Sequence, residues 1–373
     1  MIIRNGKLLI GDKLVEGPDV RVHNGKVQEI GFHLEAGLYE QITDVVGDMI
    51  LPGFVDVHIH AFRRHDTMQG EEAVRAMAQD LYREGVAAFC PTTMSAPVED
   101  TRRAVGGVRR VMERADDHSA KVLGVHMEAP FLQDAKAGAQ RREFFMDPTM
   151  EAFMEMTDHH PECVRLLTMA PEREGSEDFI RAVTAQRVHI SIGHTNATAE
   201  LVHQAGDWGA DHITHTFNAQ TPLAHRAPGV PGAGLSDDRF FCEMICDGVH
   251  LHRDIVRLIA KCKGPAKAVA ITDAMEAAGM PDGEYALGGQ AVYVHGSEAR
   301  LKDGTLAGSV LTMHKAFQNL VKLFGIDVID AALMCTAAPA ESIGETLAGY
   351  LTAGSPAPLT RWNADLKMVG ILD

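Results

Sequence analysis

Two histidines, His58 and His60, stand one residue apart at the end of the apolar run LPGFVDVHIH, residues 51–60. On a strand, side chains alternate with period two, so both imidazoles point the same way. Two such rings at the end of a buried strand are costly to desolvate unless something binds them. A divalent ion is the simplest partner, and a pair of hydrogen-bonded histidines is the other reading. Four more groups bear on the choice. Glu128, His194, His215 and Asp273 also fall where apolar runs give way to loops. His58, His60, Glu128, His194 and His215 form a nitrogen–oxygen donor set suited to zinc, iron or manganese, and without thiolates it is not a structural zinc knot. Asp273 suits a different task, although a helix N-cap after ITD is its plainer reading. A carboxylate beside a divalent ion can take a proton from the attacking water, whose pKa falls from about 16 toward 7, and return it to a leaving nitrogen. The set reads as metal-assisted hydrolysis.

These residues need a scaffold that brings strand ends together. Eight apolar runs have strand character: VDVHIH (55–60), AAFCPTT (87–93), VLGVHMEA (122–129), VRLLTMA (164–170), HISIGH (189–194), HITHTF (212–217), FFCEMICDG (240–248) and KAVAITDA (267–274). Helical periods fill most gaps, over 71–84, 101–118, 178–186, 197–209 and 253–261. Eight strands alternating with helices predict a (β/α)8 TIM-like barrel of a metal-dependent hydrolase, whose site lies at the carboxyl ends of the strands. Residues 218–239, rich in Pro and Gly, read as a long functional loop. Residues 1–49 read as short strands. IIRNGKLLI and VRVHNGKVQEI each carry Asn-Gly between apolar segments, which predicts two hairpins. Helical texture returns over 311–338, and LAGYLTA and LKMVGIL in 345–373 look strand-like. The expected organisation is a small β-sandwich built from both termini, 1–49 and 341–373, flanking a catalytic barrel over 50–340.

Composition narrows the partners. The chain has 373 residues, 46% hydrophobic, and a formal charge of −16, which argues against nucleic acid as a partner. A small anion remains compatible, since it needs only local cations or amides. No run of about 18 apolar residues predicts a membrane span, and the N-terminal stretch lacks the features of a signal peptide. Six cysteines without a CxxC pair fit reduced thiols in a cytoplasmic protein. His189 and His212 read as structural, as do His23 and His33. Arg63, Arg64, Lys136, Arg141, Arg142 and Arg226 fall in loops after the first, third and sixth strands, and together they predict a cationic mouth for an anionic substrate.

The stretches LPGFVDVHIH, HMEAPFL (126–132), IGHTNAT (192–198), HTFNAQTPLAHRAPG (215–229), DGVHLH (247–252), ITDAM (271–275) and LAGSVLTM (306–313) run in one order along the chain. In these the chain resembles the amidohydrolase superfamily and, within it, the N-acetylglucosamine-6-phosphate deacetylases. The resemblance implies hydrolysis of the acetamide of N-acetyl-D-glucosamine 6-phosphate to D-glucosamine 6-phosphate and acetate, in amino-sugar catabolism or recycling. It implies one or two zinc or iron ions per subunit, with Glu128, His194 and His215 around one and His58 and His60, with Glu128 as bridge, able to hold a second. Asp273 becomes the general base and then acid, and His250 contacts the sugar or polarises the acetamide. Arg226 with the Asn218 and Ala219 backbone would bind the phosphate, and Leu306, Ala307 and Gly308 would line the acetyl pocket. A homodimer with a partner reaching toward the phosphate is implied as well. The chain departs from the family at Arg63, Arg64, Ala129 and Ala227, and at Gln140, which takes the place of a sugar-binding histidine. N-acetylgalactosamine 6-phosphate or another N-acyl compound therefore stays open as substrate. A non-catalytic binder of amino-sugar phosphates is the alternative outside enzymes.

Overall fold

All eight apolar runs become parallel strands in the computed structural model, which describes residues 1–114 and 116–373. The first strand, Phe54–Ile59, pairs with the second, Val86–Pro91. The third run breaks at residues 123–124: Lys121–Val122 pairs with the second strand, whereas Val125–Glu128 pairs with the fourth, Val164–Met169. His189–Ile192, His212–Ile213, Phe241–Ile245 and Ala268–Ile271 follow in sequence order within one six-stranded curled sheet. Parallel bridges at Thr92–His126 and Ile59–Ala274 join the margins of the two sheets. The run HITHTF yields only two strand residues, because the chain turns at His215 with φ 27°.

Helices cover the outer face. In Glu71–Arg83, Ala73, Val74, Met77, Ala78, Leu81 and Tyr82 are buried, the stripe expected of an amphipathic helix against a core. Val98–Glu113, Ser176–Thr184, Ala199–Trp208 and Arg253–Lys267 correspond to the other predicted periods. Residues 218–239 are not all loop. Gly229–Ser236 is a helix that buries Val230, Ala233 and Leu235, and a Cβ at Gly234 would lie 2.7 Å from Ile213. Its glycines permit close approach to the sixth strand, and that composition hid the helical period.

The terminal segments contribute two more sheets. Lys7–Ile10, Lys13–Glu16, Met49–Leu51, Leu359–Trp362 and Met368–Leu372 form one; Ile2–Arg4, Asp19–His23, Lys26–Gly31 and Ile42–Asp44 form the other. Val20, Val22 and Val27 pack with Leu8, Ile50, Leu359 and Leu372 in one apolar cluster. The hairpin at Asn24–Gly25 forms as expected, with both residues at positive φ. The one at Asn5–Gly6 does not, because Ile2–Arg4 and Lys7–Ile10 enter different sheets. LAGYLTA forms no strand. An unforeseen antiparallel sheet, Gly283–Leu287, Gln290–His295 and Glu298–Leu301, is inserted after the eighth parallel strand. All six cysteines are free and five are buried. Among the described residues no helix is long and apolar enough to cross a membrane.

Candidate active site

The parallel strands carry their ionisable residues to one place. His58 and His60 project together from the first strand, as period two requires, and their Nε2 atoms lie 3.5 Å and 3.2 Å from the Glu128 carboxylate. His194 Nε2 and His215 Nε2 lie 3.3 Å and 3.2 Å from Glu128 Oε1 and 3.1 Å from each other. Asp273 Oδ1 lies 3.2 Å from His60 Nε2 and 3.7 Å from His58 Nε2. Two donor triads result, His58–His60–Asp273 and Glu128–His194–His215. Glu128, 2% exposed, touches both: Oε1 faces His194 and His215, and Oε2 faces His60.

The donor set fits a divalent cation. His194 Nδ1 donates to the Lys136 carbonyl at 2.7 Å, so its Nε2 is a bare lone pair. His58 Nδ1 donates to Glu243, which leaves its Nε2 bare too; that atom and Glu128 Oε1 are buried without hydrogen-bond partners among the described residues. Bare nitrogens and a carboxylate oxygen facing one another repel unless positive charge sits between them. Separations of 3.1–3.3 Å within the Glu128 triad match the edges of a tetrahedron with bonds of about 2.0 Å. Burial disfavours charge on His60, yet Asp273 and Glu128 raise its pKa to about 9. Burial likewise pushes the Asp273 carboxyl up, but the neighbouring His58 and His60 outweigh it and hold the pKa below its usual value. The site attracts positive charge.

His194, His215 and Asp273 all adopt positive φ, at 46°, 27° and 49°. Such backbone is costly for non-glycine residues and survives where surrounding contacts enforce it. For Asp273 these contacts are a hydrogen bond from its N–H to the His58 carbonyl and one from Ser309 N–H to its own carbonyl, both 2.8 Å. Gly308, at φ +61°, lies against this turn, and a Cβ there would come 3.1 Å from the Asp273 carbonyl.

A cavity of about 480 Å³ opens over the triads. His250, Asn218, Ala219, Gln140, Leu306 and Gly308 line it, as does Asp273. His250 Nδ1 donates to Asp247 at 2.6 Å, which directs the proton to that nitrogen and leaves Nε2 free. Gln140 donates to Glu128 Oε2 at 2.8 Å and accepts from Ser95 N–H at 2.7 Å, so its amide braces the shared carboxylate. Two anticipated residues stand elsewhere. Ala307 belongs to the apolar cluster of Met275, Leu287 and Val292 and, unlike its neighbours Leu306 and Gly308, is not part of the cavity wall. Arg226 is exposed and outside the cavity wall.

The expected cationic mouth is only partly present. Arg63 pairs with Glu84 and Asp80, Arg64 stacks on Tyr285, and Arg141 pairs with Glu143. Only Lys136 of that group lines the cavity, where Nζ donates to the Gln220 carbonyl. A second cation, Arg300, comes from the inserted sheet, where it also pairs with Glu298 at 2.7 Å and donates to the Gly304 carbonyl at 2.7 Å. Sequence reasoning missed it, since residues 275–305 carry no chemical motif. It also missed Glu243, although a lone carboxylate within FFCEMIC was a signal. His189 and His212 lie outside the two triads: their Nδ1 atoms donate to the two oxygens of Asp211 at 2.6 Å and 2.7 Å, which forms a separate His–Asp–His cluster.

Comparison with known proteins agrees with this geometry. The Amidohydrolase family pattern matches residues 49–370. A Lysinibacillus sphaericus protein named N-acetylglucosamine-6-phosphate deacetylase is 35% identical over 95% of this chain and 91% of its own length. An Escherichia coli O157:H7 protein named N-acetylgalactosamine-6-phosphate deacetylase is 32% identical over 98% of this chain and 96% of its own. The structure of a mutant N-acetyl-D-glucosamine-6-phosphate deacetylase from Mycobacterium smegmatis, in complex with N-acetyl-D-glucosamine-6-phosphate, superposes with a TM-score of 0.91 at 29% identity, covering 100% of this chain and 97% of that one. The chain belongs to the amidohydrolase family.

Proposed function

We propose that the chain is a metal-dependent deacetylase that hydrolyses the acetamide of N-acetyl-D-glucosamine 6-phosphate, releasing D-glucosamine 6-phosphate and acetate in amino-sugar metabolism. The observation that carries this reading is the pair of donor triads joined through Glu128 at the floor of the cavity, one of which includes Asp273. Glu128, His194 and His215 would hold one ion, and His58 and His60 with Glu128 a second; zinc and iron both suit these donors. A divalent ion there supplies acidified water at neutral pH and polarises the acyl oxygen. Asp273 takes the proton of the attacking water on its carboxylate and passes it to the departing amine nitrogen, so the amine leaves neutral. His250, its ring fixed by Asp247, presents Nε2 as an acceptor to a sugar hydroxyl. Burial works against its charged form, but Asp247 outweighs burial and raises its pKa, and as the imidazolium it can donate from Nε2 to the acyl oxygen. Leu306 and Gly308 leave room for a methyl and exclude water around it.

The bridges at Thr92–His126 and Ile59–Ala274 support a closed (β/α)8 barrel over 50–340. The two terminal sheets with their shared apolar cluster support a small β-sandwich from 1–49 and 341–373. Six free cysteines support a reducing, cytoplasmic setting. For the phosphate, Lys136 and Arg300 supply positive charge within the chain, and the Asn218 and Ala219 backbone borders the same cavity. Arg226, exposed and outside the cavity wall, would suit the phosphate of a neighbouring subunit if the chain forms a homodimer. The galacto epimer is a second reading, favoured by the full-length likeness to a relative named for it.

Steady-state hydrolysis of both epimers, and of the unphosphorylated sugar, tests these readings. The gluco phosphate should turn over fastest, lose activity with chelator and recover with zinc or iron. Faster turnover of the galacto phosphate would transfer the assignment to that epimer. No acetate from any of the three, in protein shown to contain metal, would refute deacetylation of these sugars.

A further inference from the structure

The seventh parallel strand, Phe241–Ile245, carries one charged residue, Glu243, and every residue of that strand is buried. Its side chain is 0% exposed. Oε2 accepts from His58 Nδ1 at 3.0 Å and from the backbone N–H of His215 at 3.0 Å, while Oε1 has no partner among the described residues. A carboxylate in such a place is expensive unless its partners need it. His126, which packs beside His58 with ring centroids 4.4 Å apart, does not compensate it. Both nitrogens of His126 are already engaged, by the Val57 carbonyl at 3.0 Å and by Thr168 Oγ1 at 2.8 Å. His58 is therefore the side chain that Glu243 serves.

We propose that Glu243 is the positioning residue of the metal centre, acting through His58. It holds the His58 proton on Nδ1, so that the bare Nε2 faces Glu128 and Asp273. The opposite tautomer would point a proton at those carboxylates and could not bind an ion. A carboxylate behind a ligating imidazole also raises its basicity and fixes its ring. Glu243 does one thing more. By accepting the His215 N–H it ties the backbone of one triad to the side chain of the other, and so sets the separation that Glu128 must span. The unpaired Oε1 accords with a carboxylate held by this geometry rather than by a saturated hydrogen-bond network.

This inference rests on the metal-binding part of the proposed function and not on the identity of the substrate. The test uses metal-stripped full-length protein, wild type, Glu243→Gln and Glu243→Ala, with zinc as the probe. Zinc affinity is measured by competition with a chromophoric chelator, and histidine tautomers by 15N NMR, with the His58 signals assigned through His58→Asn. Glu243→Ala should weaken the site that contains His58 about 10- to 100-fold and remove its protected Nδ1 proton. Glu243→Gln, similar in shape and still an acceptor, should keep the proton and bind zinc several-fold more weakly because the charge is gone. A purely structural carboxylate would lower the melting temperature in both variants without moving zinc affinity or the tautomer, and that result overturns the proposal. If the alanine variant fails to fold, zinc affinity in Glu243→Gln equal to wild type overturns it instead. Absence of turnover on every amino sugar would count against the proposed substrate and leave these readouts intact.

Discussion

Asp273 sits within one donor triad and at the floor of the cavity, where its carboxylate can also transfer a proton. Its Oδ1 stands 3.2 Å from His60 Nε2 at the cavity floor, while its backbone is pinned on both sides by 2.8 Å hydrogen bonds to and from neighbouring segments. Replacing it with asparagine keeps the shape and removes the basic oxygen. Asp273→Asn should lower kcat by about 10²- to 10⁴-fold, the usual worth of a positioned acid–base group, while the cavity still binds substrate. Single-turnover kinetics beside equilibrium binding separate the two effects, and a variant retaining more than about a tenth of wild-type kcat would remove Asp273 from the proton path. Asp273, like the five donors around it, was legible from sequence because each closes an apolar run, and few bland explanations put six such groups at strand ends. The cations were misread for an equally physical reason. A loop arginine is satisfied by the nearest carboxylate or aromatic face, so Arg63, Arg64 and Arg141 turned to Glu84, Tyr285 and Glu143.

At the scale of elements, strands and helices with a clear period were legible, and those set by close packing were not. The helix Gly229–Ser236 has poor intrinsic propensity and exists because glycine lets it press on the sixth strand, with only 2.7 Å available to a Cβ at residue 234. The inserted antiparallel sheet brought Arg300 to the cavity through register and contacts that no local pattern announces. The fifth and sixth strands are tied at their starts by Asp211, which bridges His189 and His212. Burial alone would raise the Asp211 pKa, but His212 and His189 outweigh it and hold the value well below the usual carboxylate range. A carboxylate depressed in the folded state stabilises it above the unfolded value of about 4 and loses that contribution as pH falls toward the folded value. Asp211→Asn should therefore be less stable than wild type near neutrality, with the difference shrinking steadily below about pH 4. Denaturant midpoints from strongly acid to neutral pH measure this, and parallel curves for the two proteins would show that the pair with the histidines adds nothing.

At the scale of the molecule, the chain presents a complete chemical floor and an incomplete binding wall. The donor triads, Asp273 and His250 all come from one subunit, and so do Lys136 and Arg300. Arg226 does not reach that cavity, and residues 222–227 around it are exposed, with no ion-pair partner among the described residues to explain a guanidinium held out on a proline- and glycine-rich loop. In the proposed homodimer this loop would enter the neighbour's cavity and would meet the phosphate, for which a guanidinium's planar fork of donors is well suited. The arrangement makes a prediction that a one-subunit site cannot reproduce. Arg226→Ala and Asp273→Asn should each be nearly inactive on the phosphorylated sugar at low concentration. When the two are mixed and allowed to exchange subunits, a hybrid dimer contains one cavity with its own Asp273 and its neighbour's Arg226. Activity should then rise toward about a quarter of the wild-type value, the share of intact cavities expected from random exchange. If Arg226 acts within its own chain, no hybrid contains an intact cavity and mixing restores nothing, so the sum of the two separate activities would be the observed rate and the shared-site reading would fail.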